Sequence, residues 1–419
     1  MLAKTVETVT PARLGRGFRW LLSSAVVNNL GDGIGFAAGP LLVASQTHNP
    51  LLVSMAVLLQ RLPFLLFGFF AGAVADRVDR RRIVVVVDLL RAVVLVVLAG
   101  TIVAGWVSIW VVLATMFLLG TAETFADTAS QSLLPGVVPR VDLGIANARL
   151  QGAFITTNQL VGPPIGAFLF VAGMAWPFGV NALCFTLGAA LISRIVVTRD
   201  GDTPRAGPSS MRGDIAEGMR WLWSHPPMRT LALTIVAFNV TFGAAWSVLV
   251  LYAEERLGMN EVGFGLLATA GAVGGLIGTG SYSWLERRFS LADILRVGLV
   301  IETLTHLALA LTRSATVGLL VMVVFGAHAF VWGTTSTTVR QRAVPDQLLG
   351  RVTSVYMVGV VGGMVVGAPV GGLLASQWGI TAPFWFGFAG SAVLVVLMWR
   401  EFGHVVHSTE EPVGPRPGD

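Results

Sequence analysis

Asp32 and Arg61 are ionisable residues inside long apolar runs of this sequence, where a charge is costly unless it is paired or hydrated. If the two runs are helices that cross a membrane in opposite directions, the side chains lie at similar depths and could form an ion pair. An acid beside an apolar cavity would also bind protons more readily, because burial disfavours its ionised form. Two roles therefore stay open for Asp32: binding of a proton or substrate, or a structural ion pair with Arg61.

Later runs contain a second set of polar residues at membrane depth. Glu302 and His306 are four residues apart, which places them on one face of a helix. Histidine titrates near neutral pH, so this pair could carry a proton, but a hydrogen-bonded pair that faces its own half of the protein is the preferred interpretation. His328 and Asn239 also lie within apolar runs, and each is expected either to line a polar cavity or to be a satisfied core residue.

Two further pairs have helical spacing. Asp88 and Arg91 are three residues apart, which predicts either a self-satisfied ion pair or side chains that extend towards the membrane surface. Glu123 and Asp127 are four residues apart near the end of the fourth apolar run. The sequence shows no spacing typical of a metal site, a nucleophile or a nucleotide site. We therefore expect no catalytic residue, no metal and no cofactor, and an ion gradient as the source of energy.

Apolar runs dominate the chain that positions these residues. Of 419 residues, 54% are hydrophobic and 12% are charged, which is about half the charge of a soluble domain. Such a chain needs lipid as its main solvent. Since about 20 residues of helix cross a bilayer, the runs predict an all-α membrane protein with twelve transmembrane helices. They are 18–43, 51–75, 83–104, 107–131, 143–172, 174–197, 228–253, 260–285, 291–312, 315–338, 349–376 and 380–402.

The basic residues predict the orientation of the chain. Most of the 28 Lys and Arg residues lie before the first run, after the last run or in even-numbered connections, and cytoplasmic loops retain such residues. Both termini are therefore expected to be cytoplasmic, and the N-terminus is interpreted as the start of a retained helix rather than a signal peptide. The basic residues are scattered through short gaps, which argues against nucleic-acid binding.

The chain divides into two halves that repeat one pattern. We expect an N-terminal six-helix bundle at 1–197, a linker at 198–227, a C-terminal bundle at 228–404 and a disordered tail at 405–419. The linker segment MRGDIAEGMRWLWSH predicts an amphipathic helix, which either lies in the membrane interface or packs on the bundle. Pseudo-symmetric halves of this kind are the layout of alternating-access carriers. One constant spacing relates Pro139 to Pro345, Gly72 to Gly278, Arg81 to Arg287, Pro163 to Pro369 and Gly166 to Gly372.

The connection between the second and third runs, GAVADRVDRRR, resembles the loop signature of the major facilitator superfamily, with Asp79 where that signature has glycine. The resemblance implies a cytoplasmic gate in which Asp76 and Arg80 form a latch. It also implies that Glu123 and Asp127 are partners of the loop arginines, with a proton relay as the alternative. A basic loop that only sets the topology is the competing interpretation. The matching residues are Gly72, Asp76, Arg77, Arg80 and Arg81.

The fifth run contains NQLVGPPIGAF, in which proline removes a backbone donor and glycine permits close helix packing. It resembles the fifth-helix antiporter signature of the same superfamily at Gly162, Pro163 and Gly166, with Asn158 in place of the first glycine and Ala167 in place of the last. The resemblance favours an exporter, and a bent helix without directional meaning is the alternative. GMVVGAPVGG in the eleventh run repeats the pattern.

Longer segments are similar to the macrolide-efflux and enterobactin-exporter branch of that superfamily: TAETFADTASQSLLPGVVPR, RLPFLLFGFFAGAVADRVDRRR and EGMRWLWSHPPMR. The resemblance implies a monomeric, non-enzymatic exporter in the inner membrane of a bacterium. It would move amphipathic small molecules, such as drugs or macrolide-like compounds, in exchange for protons. The alternatives are an exporter of siderophores or metabolites, an importer or facilitator on the same fold and, least favoured, a membrane protein without transport activity.

Overall fold

The computed structural model describes residues 12–131, 133–195 and 211–410, and every regular element in them is a helix. The all-α class that the apolar runs predict is confirmed. The helices before the linker are α1 (Gly15–Gln46), α2 (Pro50–Arg77), α3 (Arg80–Val103), α4 (Ile109–Gln131), α5 (Leu143–Ala172) and α6 (Trp176–Ile192). Those that follow are α7 (Met211–Ser224), α8 (Pro226–Trp246), α9 (Leu249–Glu255), α10 (Glu261–Arg288), α11 (Leu291–Leu311), α12 (Ala315–Ala343), α13 (Asp346–Trp378) and α14 (Ala382–Glu410).

Each of the twelve expected spans falls on a helix. In the described part of the chain, ten helices are long and apolar enough to cross a membrane, and α6 is apolar but shorter. Helix α1 has 32 residues, and its mean hydropathy is lowered by Asn28, Asn29 and Asp32. The seventh expected span is interrupted, because α8 ends at Trp246 and the short helix α9 follows.

Helix α7 is the amphipathic element expected in the linker, and it packs on its own bundle. Leu222 is buried in the core of that bundle, and Arg351 of α13 donates to the carboxylate of Glu217 over 2.6 Å. These contacts hold α7 on its bundle, and its expected position in the membrane interface stays a prediction. Residues 196–210 of the linker region lie outside the described residues. At the other end, α14 continues to Glu410, so the first part of the expected disordered tail is helical.

The helices form two compact units that repeat one packing pattern. The first unit contains α1 to α6 and Met259–Thr269, which includes the start of α10, and the second contains the other helices. Within the first unit, α1 packs on α5 and α6, and α3 packs on α4 and α6. Within the second unit, α8 packs on α13 and α14, and α11 packs on α12 and α14. The helix pairs therefore recur in the order that the constant sequence spacing predicts.

Glycines bring the backbones of the principal helix pairs into contact. A Cβ atom on Gly166 of α5 would lie 2.9 Å from the Cα atom of Ile34 on α1. In the second unit, a Cβ atom on Gly367 of α13 would lie 3.0 Å from the backbone nitrogen of Ala244 on α8. Because lipid provides no hydrophobic force between helices, close backbone packing contributes much of their association.

We expect Gly166→Ala to lower the stability of the folded protein by about 1–3 kcal/mol, because α1 must move to admit the methyl group. Gly179→Ala in α6 is the matched control: nothing lies within 4 Å of its Cβ position, and alanine is the better helix former. The melting temperatures of the two variants, measured in the same detergent, test this expectation. A melting temperature of Gly166→Ala equal to that of the wild type would contradict the close packing of α1 on α5.

Arg256, which follows α9, caps the end of another helix. Its Nε donates to the carbonyl oxygen of Thr312 over 3.0 Å, and its Nη2 donates to those of Ala310 and Leu311 over 3.3 and 3.1 Å. These carbonyls close α11, where backbone acceptors lack partners within the helix and carry partial negative charge. A cation at this end therefore ties α9 to α11.

Replacing this cap tests its contribution. We expect Arg256→Gln to lower the free energy of unfolding by about 1–2 kcal/mol, because carbonyls at the end of α11 lose charged donors. Arg313→Gln is the control, since Arg313 is exposed and lies beside the same carbonyls in sequence. Melting temperatures compare the two variants, and equal losses would show that the cap contributes nothing specific.

Candidate functional site

The first unit buries a charged cluster that joins α1 to α3. Arg91 of α3 donates from Nη2 to Oδ1 of Asp32 on α1 over 2.5 Å, and its Nη1 lies 3.9 Å from Oδ1 of Asp88. Asn28 of α1 donates from Nδ2 to the other carboxylate oxygen of Asp88 over 2.7 Å. Spacings of four residues in α1 and three in α3 place each pair on one helix face. One guanidinium group thus pairs with two carboxylates.

Burial distinguishes the members of this cluster. The exposed fraction of the side chain is 1% for Asp88 and 7% for Arg91, but 33% for Asp32. The guanidinium carbon of Arg91 also lies 3.8 Å from the ring centroid of Phe185 on α6, a favourable cation–π position. If all three groups are ionised, the cluster carries one excess negative charge. Asp32 is therefore the most exposed of the three charged groups.

Asp32 pairs with Arg91 and not with Arg61, so the Asp32–Arg61 ion pair, one of the two roles left open by the sequence, is not present among the described contacts. Helix α2, which carries Arg61, packs mainly on α4, and Arg61 lies within electrostatic range of Asp127 on that helix. Arg91 reaches α1 instead, because its long side chain extends across the Phe185 ring of the intervening α6. Equal depth in the membrane made an Asp32–Arg61 pair plausible, but depth does not determine which helices are neighbours.

Glu123 and Asp127 add negative charge near the cluster. Both acids lie within electrostatic range of Arg91 and of Asp32. Among the described contacts, neither acid forms a hydrogen bond or ion pair with Arg81. Their expected part as partners of the loop arginines stays a prediction.

The loop between α2 and α3 is short because an aspartate caps α3. Helix α2 ends at Arg77, and the side chain of Asp79 accepts hydrogen bonds from the backbone nitrogens of Arg81 and Arg82. Aspartate is among the best residues at this position, since it satisfies donors that have no partner in the first turn. The one departure from the superfamily loop signature thus has a local structural role.

The arginines expected at the cytoplasmic gate contact backbone carbonyls. Arg81 donates to the carbonyl oxygen of Ile195, after α6, over 2.8 Å. Arg80 donates to a carbonyl near the end of α2 over 3.4 Å. Gly72 lies within α2, one turn before Asp76, and the Asp76 side chain lies outside the described residues. The latch expected between Asp76 and Arg80 stays a prediction.

The bend expected in α5 is a π-helical segment, Phe154–Val161, which contains Asn158. Ordinary α-helix resumes at Gly162, with Pro163 in its first turn, where a missing backbone donor costs little. The backbone of Asn158 lies against α1: a Cβ atom on Gly33 would come within 2.9 Å of the Asn158 Cα atom. Single π-helical turns are frequent at functional sites.

The second unit buries a different cluster. Nε2 of His328 on α12 lies 2.7 Å from Oε2 of Glu302 on α11, and Nδ1 of His306 lies 3.3 Å from Oε1. The side chains of Glu302 and His306 have no exposed surface, and 4% of His328 is exposed. The expected Glu302–His306 pair is therefore present as part of a triad. The sequence did not reveal the third member because His328 lies on a different helix.

Asn239 does not join this triad. Its Nδ2 donates to the carbonyl oxygen of Ile235, one turn earlier in α8, over 2.7 Å. Its Cβ atom lies against Gly363 of α13, in the pair of helices that pack by glycine contact. Asn239 is thus a buried residue whose amide is satisfied by its own helix, which was the alternative to a cavity role.

A row of aromatic rings along α8 was missed in the sequence. Phe238, Phe242 and Trp246 are four residues apart, and their successive ring centroids are 6.0 and 4.5 Å apart. Helix α12 adds Phe325, 4.6 Å from Trp246, and Trp332, 6.0 Å from Phe238. All except Trp332 are half-buried. The period of four aromatic residues is the signal that could have identified this surface.

The pairing of Arg91 can be tested by stability. We expect Arg91→Ala to destabilise the protein by about 3–5 kcal/mol, because two carboxylates lose their buried cation. Arg61→Ala is the control, because it removes a half-buried arginine from the same unit. It should lower the stability much less. Folded yield and melting temperature measure both. Asp88→Asn should restore part of the stability that Arg91→Ala loses, and equal effects of the two arginine variants would contradict the assignment.

Comparison with known proteins gives consistent sequence matches. A family model described as transmembrane secretion effector matches residues 7–411. The multidrug efflux pump Tap of Mycolicibacterium fortuitum is 30% identical over 391 residues, which cover 87% of this chain and 90% of that protein. Macrolide efflux protein A of Streptococcus pyogenes is 23% identical over 365 residues, which cover 84% of this chain and 87% of that protein.

Solved transporter structures share the fold. A crystal structure of the nucleoside transporter NupG matches with a TM-score of 0.77 and 9% identity, covering 92% of this chain and 100% of that one. A bacterial homologue of the iron transporter ferroportin, in an inward-facing state, matches with a TM-score of 0.70 and 19% identity, covering 94% and 99%. At such identities the likeness concerns the fold alone, and it confirms the fold class expected from the sequence.

Proposed function

The chain belongs to the transmembrane secretion effector family of the major facilitator superfamily, and we propose that it exports amphipathic small molecules in exchange for protons. It is a multi-pass membrane transporter and not an enzyme. Relatives named as a multidrug efflux pump and a macrolide efflux protein support drugs or macrolide-like compounds as the substrates. Alternating access between the two sides of a bacterial inner membrane, with both termini in the cytoplasm, completes the proposal.

The single observation that carries proton coupling is Arg91 between Asp32 and Asp88. With both carboxyl groups ionised, Arg91 is shared and holds α1 to α3. A proton on Asp32 removes the excess negative charge and weakens the bond between Arg91 and α1. Arg91 then pairs mainly with Asp88, which lies on the same helix, α3. Proton binding therefore changes how firmly α1 is held, and a ligand that prefers one arrangement shifts the population towards it.

The aromatic row supports an amphipathic substrate. Half-buried rings at Phe238, Phe242, Trp246 and Phe325 present apolar faces with little directional requirement. Such surfaces bind ring systems of varied shape through burial of apolar area and ring stacking, whereas a few polar groups set the orientation of the ligand. A transporter of several related compounds needs contacts of this kind.

The loop and the fifth helix supply the proposed moving parts. Asp76 and Arg80 would latch the cytoplasmic gate. Glu123 and Asp127 would link that gate to the Arg91 cluster, either as partners of the loop arginines or as a proton relay. The π-helical segment Phe154–Val161 would act as the hinge of α5, since its irregular hydrogen bonding lies where α5 touches α1.

Transport into inverted membrane vesicles tests the exchange. With an acidic lumen, we expect wild-type protein to accumulate ethidium and radiolabelled erythromycin, and a protonophore to abolish accumulation. Asp32→Asn should reduce accumulation to the protonophore-treated level, because the amide cannot exchange a proton. Glu255→Gln, which changes an exposed acid after the interrupted seventh span, is the matched control and should retain the wild-type rate.

Other outcomes would separate the alternatives. Accumulation that does not depend on the proton gradient, or that survives in Asp32→Asn, would contradict proton exchange through Asp32. Movement only in the inward direction, measured in right-side-out vesicles, would indicate an importer. A catecholate siderophore in the same panel would reveal a siderophore exporter. Failure to move any compound of the panel would favour a protein without transport activity.

A further inference from the structure

We propose that Glu302, His306 and His328 form a one-proton site in the second unit, and that proton binding there is coupled to movement between α11 and α12. This site shares no residue with the cluster of Asp32, Asp88 and Arg91. The inference goes beyond the proposed exchange of substrate for protons, because it concerns proton binding by the protein alone and can be tested without transport.

The hydrogen bonds determine which ring nitrogens carry hydrogen. Nε2 of His328 faces Oε2 of Glu302 over 2.7 Å. Nδ1 of His306 is hydrogen-bonded to the backbone carbonyl oxygen of Glu302 over 3.1 Å and lies 3.3 Å from Oε1, a buried atom without a hydrogen-bond partner among the described residues. An ionised carboxylate and a carbonyl only accept hydrogen bonds, so both of these nitrogens are donors. A neutral imidazole has a single N–H, and the outer nitrogen of each ring is then bare.

The surroundings of the outer nitrogens agree with this assignment. Nε2 of His306 and Nδ1 of His328 are buried and have no hydrogen-bond partner among the described residues. An unpaired acceptor is tolerated more readily than an unpaired N–H. With Glu302 ionised, the arrangement is one carboxylate between two neutral imidazoles, with a net charge of minus one and a vacant position for one proton.

The packed helices provide no cation for this charge within the described residues. Helix α8 faces His306 with the ring of Trp246, at 6.0 Å between ring centroids, and α14 faces it with Gly387. Helix α12 contributes the ring of Phe325 beside His328, at 5.7 Å. None of these groups titrates, so His328 is the titratable group on another helix that contacts Glu302 in the described part of the chain.

The charged groups at the ends of α11 are already engaged. Arg296 pairs with Asp293 over 3.2 Å and lies about 9 Å along the helix from Glu302 at 1.5 Å per residue. Arg256 bonds the carbonyls at the opposite end, and the hydroxyl of Tyr252 on α9 donates to the Leu309 carbonyl. A proton is therefore the remaining means of neutralising the buried carboxylate.

Proton uptake has a structural consequence in this arrangement. A proton on an outer nitrogen makes an imidazolium beside the carboxylate, but its new N–H has no acceptor among the described residues. Protonation therefore favours an arrangement in which that N–H reaches water or another acceptor. When the proton is on His328, the new N–H lies on α12 and the carboxylate on α11, so such an arrangement moves one helix relative to the other. The proton and the helix positions then influence each other reciprocally.

Trp246 offers a direct reporter of this titration. Its ring meets the edge of the His306 ring, and a protonated imidazole quenches tryptophan fluorescence. We would titrate the purified full-length protein in detergent, without substrate or gradient, over about pH 5 to 8. The part of the fluorescence change that disappears in Trp246→Phe reports the triad. The wild type should show one transition, and Glu302→Gln should remove it from this range, because the amide no longer attracts the proton.

Matched variants separate this site from others. His48→Gln, at an exposed histidine of the first unit, should leave the transition unchanged. Asp32→Asn should also leave it unchanged, so a failure of the exchange proposal and a failure of this one give different results. If Glu302→Gln does not fold, His306→Gln replaces it and should lose the transition while Trp246 still fluoresces.

Hydrogen exchange tests the coupling to movement. After division by the intrinsic exchange rate at each pH, peptides of α11 and α12 should be less protected at the acidic end of the titration than at the basic end in the wild type, and equally protected at both ends in Glu302→Gln. The proposal is overturned by a wild type without a Trp246-dependent transition, by a transition that Glu302→Gln leaves in place, or by exchange that does not follow the transition.

Discussion

The bond from Arg91 to Asp32 is the interaction on which the first unit depends, because it compensates buried charge and at the same time joins two helices. Arg91 and Asp88 have almost no exposed surface, so neither can obtain its compensation from water. Asn28 supplies the remaining donor to Asp88. The cluster therefore dictates that α1 and α3 keep their spacing across α6, and the stacked ring of Phe185 on α6 occupies the space between them.

The two units solve the same problem with different chemistry. Their helices pack in the same order, and the corresponding helices α3 and α11 each carry the core of a buried ionic cluster. Arginine stays charged at any physiological pH, so a proton can enter the first cluster only at a carboxyl group. A neutral imidazole has one nitrogen that can accept a proton, so in the second cluster the bases themselves can change state. Internal repetition thus preserved the scaffold while the two sites diverged.

Much of this fold could be predicted from the sequence, whereas the partners of the site residues could not. The length and hydropathy of the apolar runs were enough to predict the helices, because each membrane-spanning segment must satisfy its own backbone hydrogen bonds. Local spacing sufficed for the contact of Glu302 with His306, which lie on one helix face. The partner of Asp32 depends on which helices are neighbours, and that is decided by glycine contacts and by the packing of α2 on α4. His328 joins Glu302 for the same reason, and no local pattern connects residues on α11 and α12.

Glycine packing and charge pairing meet at Asp32, so the proposed binding of a proton there would be coupled to movement of α1. Asp32 is flanked by Gly31, where a Cβ atom would lie 2.9 Å from the Cβ atom of Cys184 on α6, and by Gly33, where one would lie 2.9 Å from the Cα atom of Asn158 on α5. These contacts fix the position of the carboxylate relative to both neighbouring helices. Any displacement of α1 along α5 therefore changes the distance from Asp32 to Arg91, which is held on α3. Because the energy of the ion pair depends on that distance, the position of α1 and the proton affinity of Asp32 are thermodynamically linked.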